Sequence, residues 1–278
     1  MRAKNIMLIA SLVLFVGIVS CKKDHEIPTG KVFNSELGGD TITPLGGDTL
    51  VPGGDTITPI GGDTLVPGGD TIVPGGGSHD YVDLALPSGT LWATCNVGAD
   101  TPEDYGVYFA WGETRPKSIY NYSTYKYCNG SENTLTKYCS DSNYGFNGYT
   151  DTLTTLLPAD DAATVNWGAD WRIPTEDEWR ELYQKTTNTW TLQNGVVGRL
   201  FTASNGNSLF LPAAGYYIDG GLYYTSANAY YWSRSLVIVN SNYAWSFQFD
   251  RLNWGISNFH RDEGQSVRAV RVARTSIQ

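Results

Sequence analysis

Tryptophan and tyrosine are confined to one end of this chain: all nine Trp and all eighteen Tyr lie at or beyond Tyr81. The ~200 residues that follow are enough to bury about 70% of the surface an unfolded chain of that length exposes, so one core is expected there. The stretch before it is of another kind. Gly38 to Pro52 (GGDTITPLGGDTLVP) recurs as Gly53 to Pro67 with Leu45 exchanged for Ile60, and a third, shortened copy starts at Gly68. Residues 38–77 hold no aromatic residue and no positive charge, too little apolar surface to offset the entropy of ordering the chain. They are expected to form a disordered tether, extended by Pro and loosened by Gly, that reaches about 120 Å fully drawn out. A calcium-binding β-roll of Gly-Gly-x-x-Asp-x-Leu repeats needs a constant period of about nine residues. Here the period alternates between eight and seven, and Pro interrupts every turn.

The N-terminus reads as an export signal. Arg2 and Lys4 precede a nearly unbroken apolar run from Ile6 to Val19, shorter than the ~20 residues that cross a bilayer and of the length of a secretory signal. Ile18-Val19-Ser20-Cys21 resembles a bacterial lipobox, which implies cleavage before Cys21 and its acylation. Several acyl chains on one residue anchor stably, at about 0.8 kcal/mol per buried CH₂. The division expected is therefore signal peptide 1–20, lipidated N-terminus and tether 21–78, and a globular domain 79–278. The expected location is the outer membrane, with the long tether favouring the cell surface.

The chain carries a net charge of −9, with 14 Lys+Arg against 20 Asp+Glu from His79 onward, or −6 for the domain. An acidic surface repels nucleic acid, whose affinity comes from neutralised phosphates, so no nucleic-acid partner is expected. After Cys21 the cysteines are Cys95, Cys128 and Cys139. One disulfide is possible in an oxidising compartment, with Cys128 and Cys139 the nearest pair and Cys95 left as a small buried residue. Zinc spacing is lacking, with only His25, His79 and His260 to assist. No cofactor and no metal site is expected.

Strand signals dominate the domain. Tyr81–Leu86 and Thr90–Val97 flank the turn Pro87-Ser88-Gly89, and Val107–Trp111 is a further run. After Pro174, Thr175 and Glu178 stand at capping-box spacing, and Trp179, Leu182 and Tyr183 form an i, i+3, i+4 stripe, which predicts a helix. A shorter helix is expected over Ala159–Val165. Tyr243, Trp245, Phe247 and Phe249 alternate with smaller or polar residues, as in a half-buried antiparallel strand, and Val267–Ala273 reads as a last strand. The fold class expected is α+β, mostly short antiparallel strands with one or two helices.

Several segments resemble the Fibrobacter succinogenes major paralogous domain, in order along 80–273. They are Tyr81-Val82-Asp83-Leu84, Leu86-Pro87-Ser88-Gly89-Thr90-Leu91-Trp92-Ala93, Tyr108-Phe109-Ala110-Trp111-Gly112-Glu113 and Trp171-Arg172-Ile173-Pro174-Thr175 with Glu178-Trp179. Leu211-Pro212-Ala213-Ala214-Gly215, Tyr231-Trp232-Ser233 and Ser266-Val267-Arg268-Ala269-Val270-Arg271 continue the series. The resemblance implies a C-type-lectin-like fold of the branch shared with formylglycine-generating enzymes, with first and last strands pairing. The related enzyme uses cysteines near its end, and this sequence has none beyond Cys139; the Glu-Pro-Asn and Gln-Pro-Asp triplets of sugar-binding lectins are also missing.

No G-x-S-x-G, H-E-x-x-H or phosphate-cradling loop occurs, so no catalytic residue is assigned. Glu176, Asp177, Glu178 and Glu181 suit a helix start. Asp160 and Asp161 suit a helix cap or, alternatively, calcium. The candidate ligand surface is the turn-rich tail: Leu236, Ile238, Asn240, Asn242, Tyr243, Arg251, Leu252, Trp254, Ile256, Asn258, Phe259 and His260. Tyr, Trp and Arg supply most interface energy, and Asn adds adaptable hydrogen bonds. The resemblance adds that some relatives diversify this late region through retroelements. The function expected is a membrane-anchored, adhesin-like recognition module for an extracellular protein or glycan. The alternatives are a structural component of the envelope or an adhesive fibre, and an atypical enzyme of the formylglycine-generating-enzyme-like fold.

Overall fold

The computed structural model describes residues 79–272. The signal peptide, Cys21 and the repeat tether lie outside the described residues. In chain order the strands are β1 (Tyr81–Asp83), β2 (Thr90–Asn96), β3 (Tyr108–Phe109), β4 (Thr187–Gln193), β5 (Val196–Thr202), β6 (Ser208–Pro212) and β7 (Tyr216–Ile218). There follow β8 (Gly221–Tyr223), β9 (Ala229–Leu236), β10 (Tyr243–Phe249), β11 (Trp254–His260), β12 (Gln265–Ser266) and β13 (Arg268–Val272). Two helices, α1 (Ala162–Trp167) and α2 (Glu176–Lys185), fall between β3 and β4. The class is α+β with strands predominant. No helix among the described residues is long and apolar enough to cross a membrane.

The central sheet has the order β11-β10-β9-β12-β3, and a second sheet has the order β1-β2-β13. The first and last strands thus do not pair with each other, as expected above; both flank β2, with Tyr81 opposite Ala93 on one side and Val270 opposite Trp92 on the other. The physical reason lies in β2, whose Leu91-Trp92-Ala93 is buried throughout and needs cover on both edges. The expected strands Tyr81–Leu86 and Val107–Trp111 shrink to β1 and β3. The expected short helix splits into a 3-10 turn, Pro158–Asp160, and α1.

Helix α2 forms as its sequence predicts. The Thr175 hydroxyl accepts from the Glu178 N–H at 3.1 Å and the Glu178 carboxylate accepts from the Thr175 N–H at 2.8 Å. Trp179 and Leu182 are fully buried, and Trp179 stacks on Phe247 at 4.9 Å while meeting Trp92 at 4.7 Å. A side chain of this size buried completely contributes about 3 kcal/mol. Helix α2 therefore clamps the two sheets at one point. Glu178 also binds Arg172 through two bonds of 2.6 Å and accepts from the Thr90 hydroxyl at 2.9 Å. Burial raises its carboxyl, but Arg172 and the amide and hydroxyl donors hold it below the usual range.

Between β3 and α1 the chain is almost without regular structure, yet Tyr120, Tyr125, Tyr127 and Tyr138 are buried there. Their hydroxyls find partners inside: Tyr120 donates to the Tyr108 carbonyl at 2.6 Å, Tyr125 to the Trp111 carbonyl at 2.7 Å, and Tyr138 to Asp160 at 2.6 Å. Asp161 caps α1, accepting from the Ala163 and Thr164 N–H groups at 3.1 Å. The disulfide that the sequence left possible between Cys128 and Cys139 does not form. Cys95, Cys128 and Cys139 are free thiols; Cys128 donates to the Tyr122 carbonyl and Cys139 to that of Asp141. Cys95, expected to be buried, is half-buried.

Candidate functional site

The candidate ligand residues do not gather into one surface. Most lie toward the two ends of β10, a strand of seven residues, about 20 Å apart at ~3.4 Å per residue, while Ile256 and Asn258 stand opposite its interior. At one end is the loop from β9 to β10. Its Leu236 and Asn242 are buried and fall out of the ligand set; Leu236 packs in the core and the Asn242 amide donates to Asn133 at 2.6 Å. Asn240 is half-buried and turns its side chain onto the Asn242 N–H. Ile238 and Val239 project, 60% and 87% exposed. With Val237, Thr154 and the half-buried Trp245 they border an open apolar recess of about 360 Å³.

The middle of the stretch is structural. His260 is held between two tyrosines, its Nδ1 3.0 Å from the Tyr122 hydroxyl and its Nε2 3.0 Å from that of Tyr243. Burial lowers its pKa against the pull of Glu132, so the ring stays neutral and both nitrogens are occupied. His260 and Tyr243 are therefore corrected from ligand groups to a packing pair. Ile256 packs against the cluster that holds Trp179 and Phe247, and Phe259 meets Tyr230 at 4.9 Å; both are half-buried. Asn258 remains exposed on the edge strand.

At the other end of β10, the turn Asp250-Arg251-Leu252-Asn253 leads into β11. Asp250 closes it: its Oδ1 accepts from the N–H groups of Leu252 at 2.6 Å and Asn253 at 2.7 Å, and its own N–H donates to the Asn253 carbonyl at 2.9 Å. Aspartate favours such turns because its side chain reaches the backbone two residues on. Burial pushes its carboxyl up, but the Asn253 and Leu252 donors outweigh this and keep it ionised below the usual range. The turn thrusts Arg251 and Leu252 outward, and Leu252 is 78% exposed.

Trp254, opposite Phe249 in the register, is 45% exposed yet braced from beneath. The Arg199 guanidinium of β5 lies 4.5 Å from its ring centre. Arg199 is almost fully buried; it also binds Asn188 and donates to the Asp250 carbonyl at 2.7 Å and the Arg251 carbonyl at 3.2 Å. One buried arginine thus fixes both the tip backbone and the exposed indole. Beside the tip is a recess of about 220 Å³ bordered by Asn228, Gln248, Asp250, Asn253, Trp254 and Gly255. Arg199 and Asn228 escaped the sequence reading. An arginine inside Val-Val-Gly-Arg-Leu was the available signal for the first; Asn228 offers none, because only folding brings it to β10.

A scan of family models found no match to the chain, and no match emerged among curated proteins or solved structures.

Proposed function

We propose that this chain is a lipid-anchored recognition module of the cell surface, without catalysis, which meets an extracellular ligand through the β10–β11 tip. The observation that carries this reading is the braced tip: Leu252 and Trp254 face solvent while Arg199 holds the backbone beneath them. An exposed aromatic already fixed in place loses little freedom on binding, which is where preorganised surfaces gain affinity. The C-type-lectin-like assignment rests on the ordered motif resemblance. Anchoring rests on Cys21 and its lipobox-like context.

The test uses the intact, detergent-solubilised chain on an array of proteins and glycans. Combined R251A, L252A and W254A should lose capture at least tenfold and leave the melting temperature within about 2 °C, because these side chains are exposed. Capture unchanged by the triple substitution would overturn the reading. A second reading, a structural component of the envelope, is favoured by Ile238 and Val239; capture that depends on these two residues alone would establish it instead.

A further inference from the structure

From the recess beside the tip we infer a binding site for a neutral, hydroxyl-rich ligand, one sugar unit in size; the inference rests on the recognition reading above and names its ligand class. Asn228 and Gln248 border the recess, and neither side-chain amide has a hydrogen-bond partner among the described residues. Each amide offers donors and an acceptor together, the combination that a hydroxyl group, itself donor and acceptor, can match from either side. Asp250 adds a third polar group: its Oδ1 is committed to the turn, while its Oδ2 receives only a long contact of 3.3 Å from Asn253. That oxygen is available to accept from a hydroxyl.

The register explains why these groups converge. Gln248 stands opposite Gly255 across the β10–β11 ladder, so the neighbouring position on that face has no side chain. A Cβ built on Gly255 would meet nothing within 4 Å, which leaves the recess open above the strand. Its volume of about 220 Å³ is below the ~300–1,000 Å³ of pockets that enclose drug-sized ligands, and suits a single ring with its substituents.

Charge narrows the class. Asp250 is the sole charged group on the border, and no cationic side chain lines it. The nearest cation, Arg199, is buried and committed to Trp254, Asn188 and the tip carbonyls, so an anionic ligand would face Asp250 with no cation on the border to pair with, whereas a neutral polyol leaves the carboxylate both ionised and bonded. The recess at the far end of β10 differs: Leu236, Val237, Ile238, Val239 and Trp245 border it beside Thr154, Thr155, Ser235 and Glu176. It is the more apolar of the two, and the paired amides of Asn228 and Gln248 have no counterpart there.

The test is saturation-transfer NMR on the intact chain with the methyl α- and β-pyranosides of glucose, galactose and mannose, and with glucuronic acid as the anionic counterpart. At least one neutral pyranoside should receive saturation and glucuronic acid should not. Combined N228A and Q248A should weaken binding at least tenfold, and G255V, which fills the recess, should abolish it. Because G255V also alters the strand, the double amide substitution is decisive. Absence of transfer to every neutral pyranoside, or binding unchanged in the double variant, would overturn the sugar assignment. If tip-dependent capture on the array persisted in that case, the recognition reading would stand alone; if it vanished too, both would fall.

Discussion

Asp262 is a carboxyl that folding removes from water without an ion pair. It is nearly fully buried, its Oδ1 makes no hydrogen bond, and Glu132 and Asp219 add negative charge nearby. Burial, the largest cause, raises its pKa from 3.8 to about 6. The folded value lies above the unfolded one, so the stability this group lends is complete below about pH 4 and is lost as pH rises through about pH 6. D262N should therefore be more stable than the parent by about 3 kcal/mol at pH 8, with the difference fading as pH falls below about 4, as read from urea midpoints across that range. A constant difference at all pH values would contradict this. The aspartate lies two residues beyond His260, which the sequence offered as a ligand group. Nothing local marks them as enclosed; Tyr122 and Tyr243, which seal His260, are remote from each other in sequence.

At the scale of elements, α2 and the tip hairpin show how far local chemistry reaches. The Thr175–Glu178 box was legible because its partners are three residues apart, and the structure returns it atom for atom. T175A should cost about 1 kcal/mol, the usual worth of an N-cap. E178A should cost about 3 kcal/mol, because it also strands Arg172 and the Thr90 hydroxyl. Equal losses from the two, measured by chemical denaturation, would mean that Glu178 acts only as a cap. The β10–β11 hairpin was less legible. Its exposed tip was expected from the turn-rich sequence of the tail, yet 254–260 is a regular strand in unbroken register with β10. Period 2 was invisible there because an edge strand with both faces partly covered does not sort its residues by polarity.

The molecule as a whole depends on Arg261. It is fully buried and joins three distant segments, donating to the Tyr125 hydroxyl at 2.9 Å and to the carbonyls of Tyr138 at 3.0 Å, Ser241 at 2.9 Å and Lys137 at 3.0 Å. Its guanidinium also lies 4.9 Å from the Trp111 ring centre. The long irregular segment after β3 lacks a ladder to satisfy its carbonyls, and this arginine supplies donors instead. R261M should cost about 3 kcal/mol or more, since each carbonyl left dry costs about 1–3 kcal/mol. Hydrogen exchange should quicken first between residues 120 and 145 while β9 and β10 keep their protection. Uniform loosening of the whole domain would show instead that Arg261 supports the central sheet.

The sequence by itself determined the α+β class, the capped helix α2 and the burial of Phe247 and Phe249, because each depends on composition or on neighbours within four residues. Only the tertiary structure decided that β2 separates the first and last strands, that the cysteines stay apart, and that the tail divides between two ends of β10. It also decided that Arg199, some fifty residues earlier in the chain, holds the tip in place. These outcomes depend on contacts between residues far apart in sequence, where a side chain's role is set by what folding brings against it.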